Sequence, residues 1–187
     1  MNKKKLNRMS KIWEYESKET DRLAEQVHKD PEIAFTKSEM ANYLVSLIEF
    51  RERDVVMEPC YGKGAFYEAL PNIVEKKFCE INMGLDYLTQ NQIADITLSN
   101  PPFVPRKLFW QFHQKAMETT NREIWWLINV SSLNVFTPKR IEEMNAKGWY
   151  LSHIHFVSDK RWFGRYAWCK FTKNIEENIL TYNKKVF

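Results

Sequence analysis

The sequence predicts a single α/β domain with a mostly parallel β-sheet, helices on both faces and an antiparallel hairpin towards its carboxyl end. Short segments that suit strands alternate with helical patterns, and this alternation is typical of a parallel sheet. The strand segments of this part are residues 55–57, 76–81, 93–98 and 124–130. Two further strand patterns, residues 150–157 and 166–172, flank a basic and aromatic segment and predict the hairpin.

Helical patterns occupy the segments between the strands. Thr36 and Glu39 have the spacing of a capping box, which predicts Thr36 as the N-cap of the helix that follows. Thr137 and Pro138 predict the N-cap and first residue of a helix that ends at residue 146. The other helical segments are residues 65–70 and 108–117.

The length of 187 residues suits one domain with a full core and is short for two. Seven Trp and twelve Phe supply ample apolar surface, so we expect disorder only near the ends. We expect residues 1–30, which are strongly charged, to form a helical extension with a thin apolar face over residues 12–27. Residues 31–187 then form the main domain.

The composition narrows the class of protein. A formal net charge of +4 permits a polyanionic partner without requiring one. Cys60, Cys79 and Cys169 are odd in number and widely spaced, so we expect no disulfide framework and no metal site. Neither a membrane span nor a signal peptide is predicted, and we expect a cytoplasmic protein.

Residues 99–103, with the sequence SNPPF, form a rigid turn at the predicted carboxyl end of a buried strand. Ligands of open α/β sheets bind at this edge. The Asn100 side-chain oxygen and a nearby backbone carbonyl suit the two N–H groups of an adenine amine, and Phe103 suits stacking on the base. The alternative is ordinary strand-to-loop punctuation that carries an aromatic residue.

An earlier turn has the pattern of a nucleotide-binding loop. Glu58 ends a strand, and Gly62 and Gly64 precede a helix, so the backbone of the turn can approach a ligand closely. Glu80 ends the next predicted strand, where one carboxylate can accept from two ribose hydroxyls. The alternative for the glycine turn is an ordinary tight turn, and the alternative for Glu80 is a surface acid. The local sequence around Asp86 favours a solvated turn residue.

Taken together, the two turns resemble the S-adenosylmethionine-dependent amino-methyltransferases, specifically the DNA adenine-N6 group. The segment EPCYGKGAF is similar to the cofactor motif E-P-x-x-G-x-G-x-F of that family. SNPPF is similar to its catalytic motif [DNS]-P-P-[YFW], and the two segments lie about forty residues apart in the family's order. The resemblance covers residues 35–172 and implies a Rossmann-like methyltransferase fold.

The resemblance implies a role for each matching residue. Those implied to bind S-adenosylmethionine are Phe35, Thr36, Glu58, Pro59, Gly62, Gly64, Glu80 and Asp86. Those implied to hold and stack the target base are Asn100, Pro101, Pro102 and Phe103. Only five residues separate Glu80 from Asp86, so either the sheet lacks an element or Asp86 is not the equivalent acid.

We expect the substrate to be DNA, with methyl transfer to the exocyclic amine of adenine and a short or relaxed sequence preference. About fifteen residues follow Thr172, which leaves no room for a separate recognition domain, so a recognition subunit or homo-oligomer is another possible partner. The candidate phosphate contacts are Arg106, Lys107, Lys160, Arg161 and Arg165, with Trp162 and Phe163 as a wedge or stacking platform. A solvated charged turn is the alternative for the hairpin tip.

The motif leaves other substrates open. A similar turn serves enzymes that methylate adenine in RNA or the side-chain amide of glutamine. A third alternative is a catalytically silent subunit that only binds nucleic acid.

Overall fold

The computed structural model describes residues 35–162 and 165–173 in full, and residues 179–186 as backbone. The predicted helix over residues 12–27 lies outside the described residues. The chain divides into two compact units, residues 1–35 and residues 36–187, and the fold described below is that of the second unit.

The second unit is built on a seven-stranded mixed sheet with the order β2-β1-β3-β4-β6-β5-β7. The strands are β1 (Val55–Glu58), β2 (Glu75–Phe78), β3 (Ala94–Ser99), β4 (Thr120–Asn129), β5 (Tyr150–Ser158), β6 (Tyr166–Thr172) and β7 (Ile179–Val186). β1 to β4 pair in parallel, and β6 pairs antiparallel with both β4 and β5. The predicted α/β fold and hairpin are therefore confirmed, and β7, parallel to β5, is an addition that the sequence patterns did not indicate.

Helices cover both faces of the sheet. They are α1 (Ser38–Val45), α2 (Ala65–Ala69), α3 (Arg106–Thr119) and α4 (Pro138–Ala146), with 3₁₀ turns at Ile81–Met83, Tyr87–Thr89 and Val130–Val135. One apolar cluster joins α1 and α2 to the sheet, with Phe66 stacked on Trp168 at 5.3 Å between ring centroids. A second cluster joins α3 and α4 to the other face around Trp126. Burial of these aromatic side chains is the main apolar contribution to the fold.

The two predicted helix caps have different outcomes. Thr137 is the N-cap of α4, and its Oγ1 accepts from the backbone N–H of Arg140 at 3.4 Å, as predicted. The prediction for α1 is wrong, because Lys37 is the N-cap and makes no side-chain capping bond. Thr36 lies one residue earlier, and its hydroxyl instead accepts from the side-chain amide of Asn100.

The sheet ends at β2 on one side, and no described strand lies between Glu80 and Asp86. Instead, Glu80 and Leu85 form an isolated antiparallel bridge around a 3₁₀ turn. The short spacing noted in the sequence is therefore a compact turn, which agrees with the alternative that the sheet lacks an element there.

The topology brings several loops to one edge of the sheet. The carboxyl ends of parallel strands meet at the same edge, so the residues after β1, β2, β3 and β4 are neighbours. β5 has the same direction, because both β4 and β5 are antiparallel to β6. The connection between β5 and β6, which contains Lys160 and Arg161, therefore also starts at this edge.

One prediction concerns His113, which is fully buried between α3 and the sheet. Its Nδ1 accepts from the indole N–H of Trp126 at 3.1 Å, and burial, with the charge of Lys147, lowers the pKa of His113 to about 3. The unfolded chain binds a proton near pH 6.5 and the folded chain does not, so stability falls as the pH drops below 6.5. Between pH 6.5 and 5 this loss amounts to about 2 kcal/mol.

The measurement is the free energy of unfolding in urea at pH 7.5, 6.5 and 5. His113→Gln keeps an acceptor for Trp126 and should flatten the pH dependence. The matched control is His153→Gln, which should remove a smaller share because His153 is only partly buried. An unchanged slope in His113→Gln would contradict the assignment.

Candidate active site

Asn100 directly follows β3 and lies beside the loop before α1. Its Nδ2 donates to Thr36 Oγ1 at 3.3 Å. Its Oδ1 is buried and has no hydrogen-bond partner among the described residues. A buried acceptor without a partner carries a free-energy cost of about 1–3 kcal/mol, which a ligand N–H group would remove.

The remainder of the SNPPF turn is packed against the hairpin. Pro101 is buried, whereas Pro102 and Phe103 are half-buried. The Phe103 ring meets Tyr166 edge-on at 6.1 Å between centroids, and Tyr166 in turn contacts Trp162 at 4.3 Å. The partly exposed Phe103 ring thus has a rigid aromatic support on one side.

The loop after β1 is held by the carboxylate of Glu80. Gly62 N–H donates to Glu80 Oε2 at 2.8 Å, and Asn82 N–H donates to Oε1 at 3.1 Å. Each carboxylate oxygen has two lone pairs, so Glu80 retains acceptor capacity for hydroxyl groups. Its established contact in the structure, however, is with the backbone of the glycine loop.

The two glycines of this loop have different roles. Both have positive φ angles, 54° for Gly62 and 77° for Gly64. A Cβ at Gly64 would lie 2.6 Å from the hydroxyl oxygen of Tyr61, so its missing side chain makes room for Tyr61. Gly62 is exposed, whereas Gly64 is buried. The expectation that these glycines let the backbone approach a ligand stays a prediction, and the contact with Tyr61 gives Gly64 an additional packing role.

Glu58 ends β1 with a buried carboxyl group and is 1% exposed. Its Oε2 has no hydrogen-bond partner among the described residues. Burial raises the pKa of Glu58 to about 9, the Tyr67 backbone N–H opposes this rise, and repulsion from Glu80 adds to it. The side chain is therefore protonated and neutral at pH 7, and a cation placed beside it would favour its ionised form.

The other predicted cofactor-binding residues are Pro59, Asp86 and Phe35. Pro59 is buried directly after β1. Asp86 is half-buried and accepts from the Leu88 backbone N–H at 2.9 Å, which caps the 3₁₀ turn. Phe35 is the last residue of the first compact unit, so its predicted role stays a prediction.

The start of the β5–β6 connection is organised by a buried carboxylate, Asp159. Arg161 donates to both Asp159 oxygens, the closest contact being Nη2 to Oδ2 at 2.7 Å, and Lys37 Nζ lies 3.8 Å from Oδ1. The desolvation of Asp159 is outweighed by these contacts, which hold its pKa below the ordinary value. Sequence reasoning missed Asp159, although a lone acid within a basic segment is a recognisable signal.

The predicted phosphate contacts fall into two groups. Arg106 and Lys107 begin α3, directly after the SNPPF turn. Lys160 and Arg165 are exposed in the β5–β6 connection, whereas the charge of Arg161 is compensated by Asp159. Phe163 lies outside the described residues. Tyr166 was not predicted as a site residue, because its position beside Phe103 follows from the pairing of β6 with β4.

The described residues contain no group of three or more His, Cys, Asp or Glu side chains that could hold a metal ion. Within the same part of the chain, no helix has the length and apolarity needed to cross a membrane.

Comparisons with known proteins identify the fold. No protein-family model matches the sequence, and no curated protein matches it. Among solved structures, a Listeria monocytogenes protein assigned to the class I S-adenosylmethionine-dependent methyltransferases superposes with a TM-score of 0.63 at 12% identity. The match covers 79% of this chain and 64% of the Listeria chain, slightly less than two thirds of it.

Two further structures have the same fold. A Pyrococcus horikoshii protein assigned as an RNA methyltransferase has a TM-score of 0.57 at 18% identity, over 74% of this chain and 84% of its own. A Vibrio vulnificus protein assigned as a modification subunit of a type I restriction enzyme has a TM-score of 0.53 at 14% identity, over 85% of this chain and 49% of its own. The chain thus has the Rossmann-like fold of class I methyltransferases.

A second prediction tests why Gly64 is a glycine. Gly64→Ala should lower the free energy of unfolding by about 2–3 kcal/mol, because backbone strain and the clash with Tyr61 add together. Gly84→Ala and Gly148→Ala are matched controls, since both positions have similar φ angles and open space. In these two variants the free energy of unfolding, measured by urea denaturation, should fall by only about 1 kcal/mol.

The clash has its own measurement in a double-mutant cycle. In a Tyr61→Ala background, Gly64→Ala should cost no more than the two controls, because the space beside Gly64 is then empty. Equal losses at all three glycines in the wild-type background would show that Tyr61 does not restrict this position.

Proposed function

We propose that this chain transfers a methyl group from S-adenosylmethionine to the exocyclic amine of adenine in DNA. The observation that carries the proposal is the buried Oδ1 of Asn100, which has no partner in the part of the chain that the structure describes and lies at the same sheet edge as the glycine loop. An amide oxygen in this position suits an N–H donor that arrives with the substrate. The class I methyltransferase fold supports the choice of cofactor.

The residues at the edge of the sheet fit S-adenosylmethionine. Its methionine end carries an ammonium group, and such a cation suits the buried Glu58, whose Oε2 accepts no hydrogen bond from the residues that the structure describes. Glu80 retains acceptor capacity for the two ribose hydroxyls while it holds Gly62. The full set of residues of the second unit that the proposal assigns to the cofactor is Thr36, Glu58, Pro59, Gly62, Gly64, Glu80 and Asp86.

When bound, the cofactor supplies a methyl group on a positively charged sulfur. The chain orients the nucleophile: Asn100 Oδ1 accepts one N–H of the adenine amine and the Pro101 carbonyl accepts the other. These bonds localise the nitrogen lone pair, which the purine ring otherwise delocalises. Phe103 stacks on the base, and the two prolines hold this arrangement before the substrate arrives.

The bond changes balance without a covalent enzyme intermediate. The N–C bond forms as the S–C bond breaks, and the surplus proton of the amine leaves to water during or after transfer. The role of the protein is thus to position the adenine amine and to polarise it. In other enzymes such effects contribute several kcal/mol of transition-state stabilisation.

Nucleic acid is the substrate class that the surface charge favours. Arg106 and Lys107 begin α3, where a positive charge opposes the helix dipole, so a phosphate group nearby would relieve this repulsion. Lys160 and Arg165 add exposed positive charge in the connection between β5 and β6. Such contacts position the strand without specifying its sequence, which agrees with a short or relaxed preference.

A target base inside a duplex must leave the stack before it can reach Asn100. Trp162, which is half-buried, is the candidate stacking surface for that base or for its vacated position, and the buried Tyr166 supports both Trp162 and Phe103. Adenine in RNA is the second candidate substrate, since a structure assigned as an RNA methyltransferase shares the fold.

The test is methyl transfer from labelled S-adenosylmethionine to matched single- and double-stranded DNA and RNA and to protein. Nucleoside analysis of the product identifies the methylated atom. Label in N6-methyladenine of DNA supports the proposal. Label found only in RNA or only in glutamine would show that RNA or protein, and not DNA, is the substrate. No binding of S-adenosylmethionine in calorimetry favours a silent subunit and overturns the proposal.

A third prediction concerns Asn100. Asn100→Ala should reduce methyl transfer at least a hundredfold, because the amine loses an acceptor, and should leave the affinity for S-adenosylhomocysteine within about twofold. The matched control is Asn121→Ala, which removes the same group at the opposite edge of the sheet. Full transfer activity in Asn100→Ala would refute the assignment of this residue.

A fourth prediction follows from the raised pKa of Glu58. At pH 7 the free protein keeps Glu58 protonated, and an ammonium group beside it favours the carboxylate. Binding of S-adenosylhomocysteine should therefore release close to one proton per molecule. Calorimetry in phosphate and Tris, which differ in ionisation enthalpy, measures this number. Glu58→Gln should release none, whereas Glu68→Gln, an exposed control on α2, should behave like the wild type.

A further inference from the structure

The hydrogen bond between Asn100 and Thr36 is not part of the roles assigned above. Asn100 Nδ2 donates to Thr36 Oγ1 at 3.3 Å, whereas its buried Oδ1 has no hydrogen-bond partner within the described part of the chain. An asparagine amide has two orientations of nearly equal shape that exchange its oxygen and nitrogen. Only one of them offers an acceptor to a base amine.

A threonine hydroxyl by itself selects neither orientation. It carries one donor and two acceptor sites, so it can accept from Nδ2 or donate to Oδ1 of a rotated amide. If the hydroxyl donates its hydrogen bond to another acceptor, it can only accept from Asn100 Nδ2. The orientation of Asn100 therefore depends on what else Thr36 contacts.

We infer that Thr36 is a positioning residue that connects the cofactor to the base-binding acceptor. The inference rests on the proposed function, in which Thr36 contacts the methionine end of S-adenosylmethionine. When the Thr36 hydroxyl donates its hydrogen bond to the methionine carboxylate, it can only accept from Asn100 Nδ2, and this holds Oδ1 as the acceptor for adenine. Cofactor occupancy and adenine recognition are thereby coupled through one hydroxyl group.

Coupling of this kind is reciprocal and measurable as a ratio of affinities. The probe is a single-stranded DNA that contains adenine, with its affinity measured by fluorescence anisotropy with and without S-adenosylhomocysteine. In the wild type, S-adenosylhomocysteine should tighten binding about fivefold, which is at the lower end of measured couplings. A probe with purine in place of adenine lacks the amine and should show no tightening.

Two controls separate the hydroxyl from the rest of the site. 5′-Methylthioadenosine has the nucleoside but no methionine carboxylate, so it should bind without tightening the DNA complex. This comparison uses only the wild-type protein and does not depend on the folding of a variant. Thr36→Val should abolish the coupling, Thr36→Ser should retain it, and Thr137→Val, the same change at the cap of α4, should have no effect.

Each outcome has a defined meaning. Loss of coupling in Thr36→Val together with its retention in Thr36→Ser supports the inference, and a role in folding alone would not produce this pattern. Unchanged coupling in Thr36→Val, or equal tightening by 5′-methylthioadenosine, overturns the inference and leaves the proposed function intact. A wild-type protein that binds neither S-adenosylhomocysteine nor the DNA overturns both.

Discussion

The candidate site depends on the parallel pairing of β1 with β2 and β3. The register places Glu58 opposite Phe78, so Glu80 emerges two residues beyond the end of β2 and reaches the N–H of Gly62. The register with β3 places Met57 opposite Thr97, so Asn100 follows beside the glycine loop. The backbone ladder therefore sets the spacing of the polar groups, because neighbouring strands lie about 4.8 Å apart.

The two acids at this edge, Glu58 and Glu80, differ in how many hydrogen bonds the protein donates to their carboxyl groups. Glu80 accepts from two backbone N–H groups, those of Gly62 and Asn82. Glu58 is more deeply buried, has a raised pKa, and has one oxygen without a partner among residues 35–162 and 165–173. A pair of acids with such different surroundings is typical of functional sites, since a purely structural carboxylate would be expected to be fully paired.

The hairpin supports the Phe103 ring and also carries an ordered ion pair. Tyr166 and Trp162 back the Phe103 ring, and the Asp159–Arg161 pair orders the chain between β5 and β6. Contact of Lys37 with Asp159 links this segment to the residue after Thr36. Elements that lie far apart in the sequence therefore meet around the SNPPF turn, which favours a role for the hairpin in positioning the substrate.

The sequence by itself determined the fold class, most element positions and the two turns, because strand and helix patterns depend on local periodicity and on proline and glycine. It predicted α4 with its bounds and its Thr137 cap, since that cap is satisfied within its own helix. Only the tertiary structure decided that Thr36 bonds to Asn100 rather than capping α1, because its partner is 64 residues away. The same reason applies to Tyr166, because the pairing of β6 with β4 places it beside Phe103. Asp159 and Gly64 have partners only two and three residues away, Arg161 and Tyr61, but the loop conformations that bring these side chains together were decided by the tertiary structure.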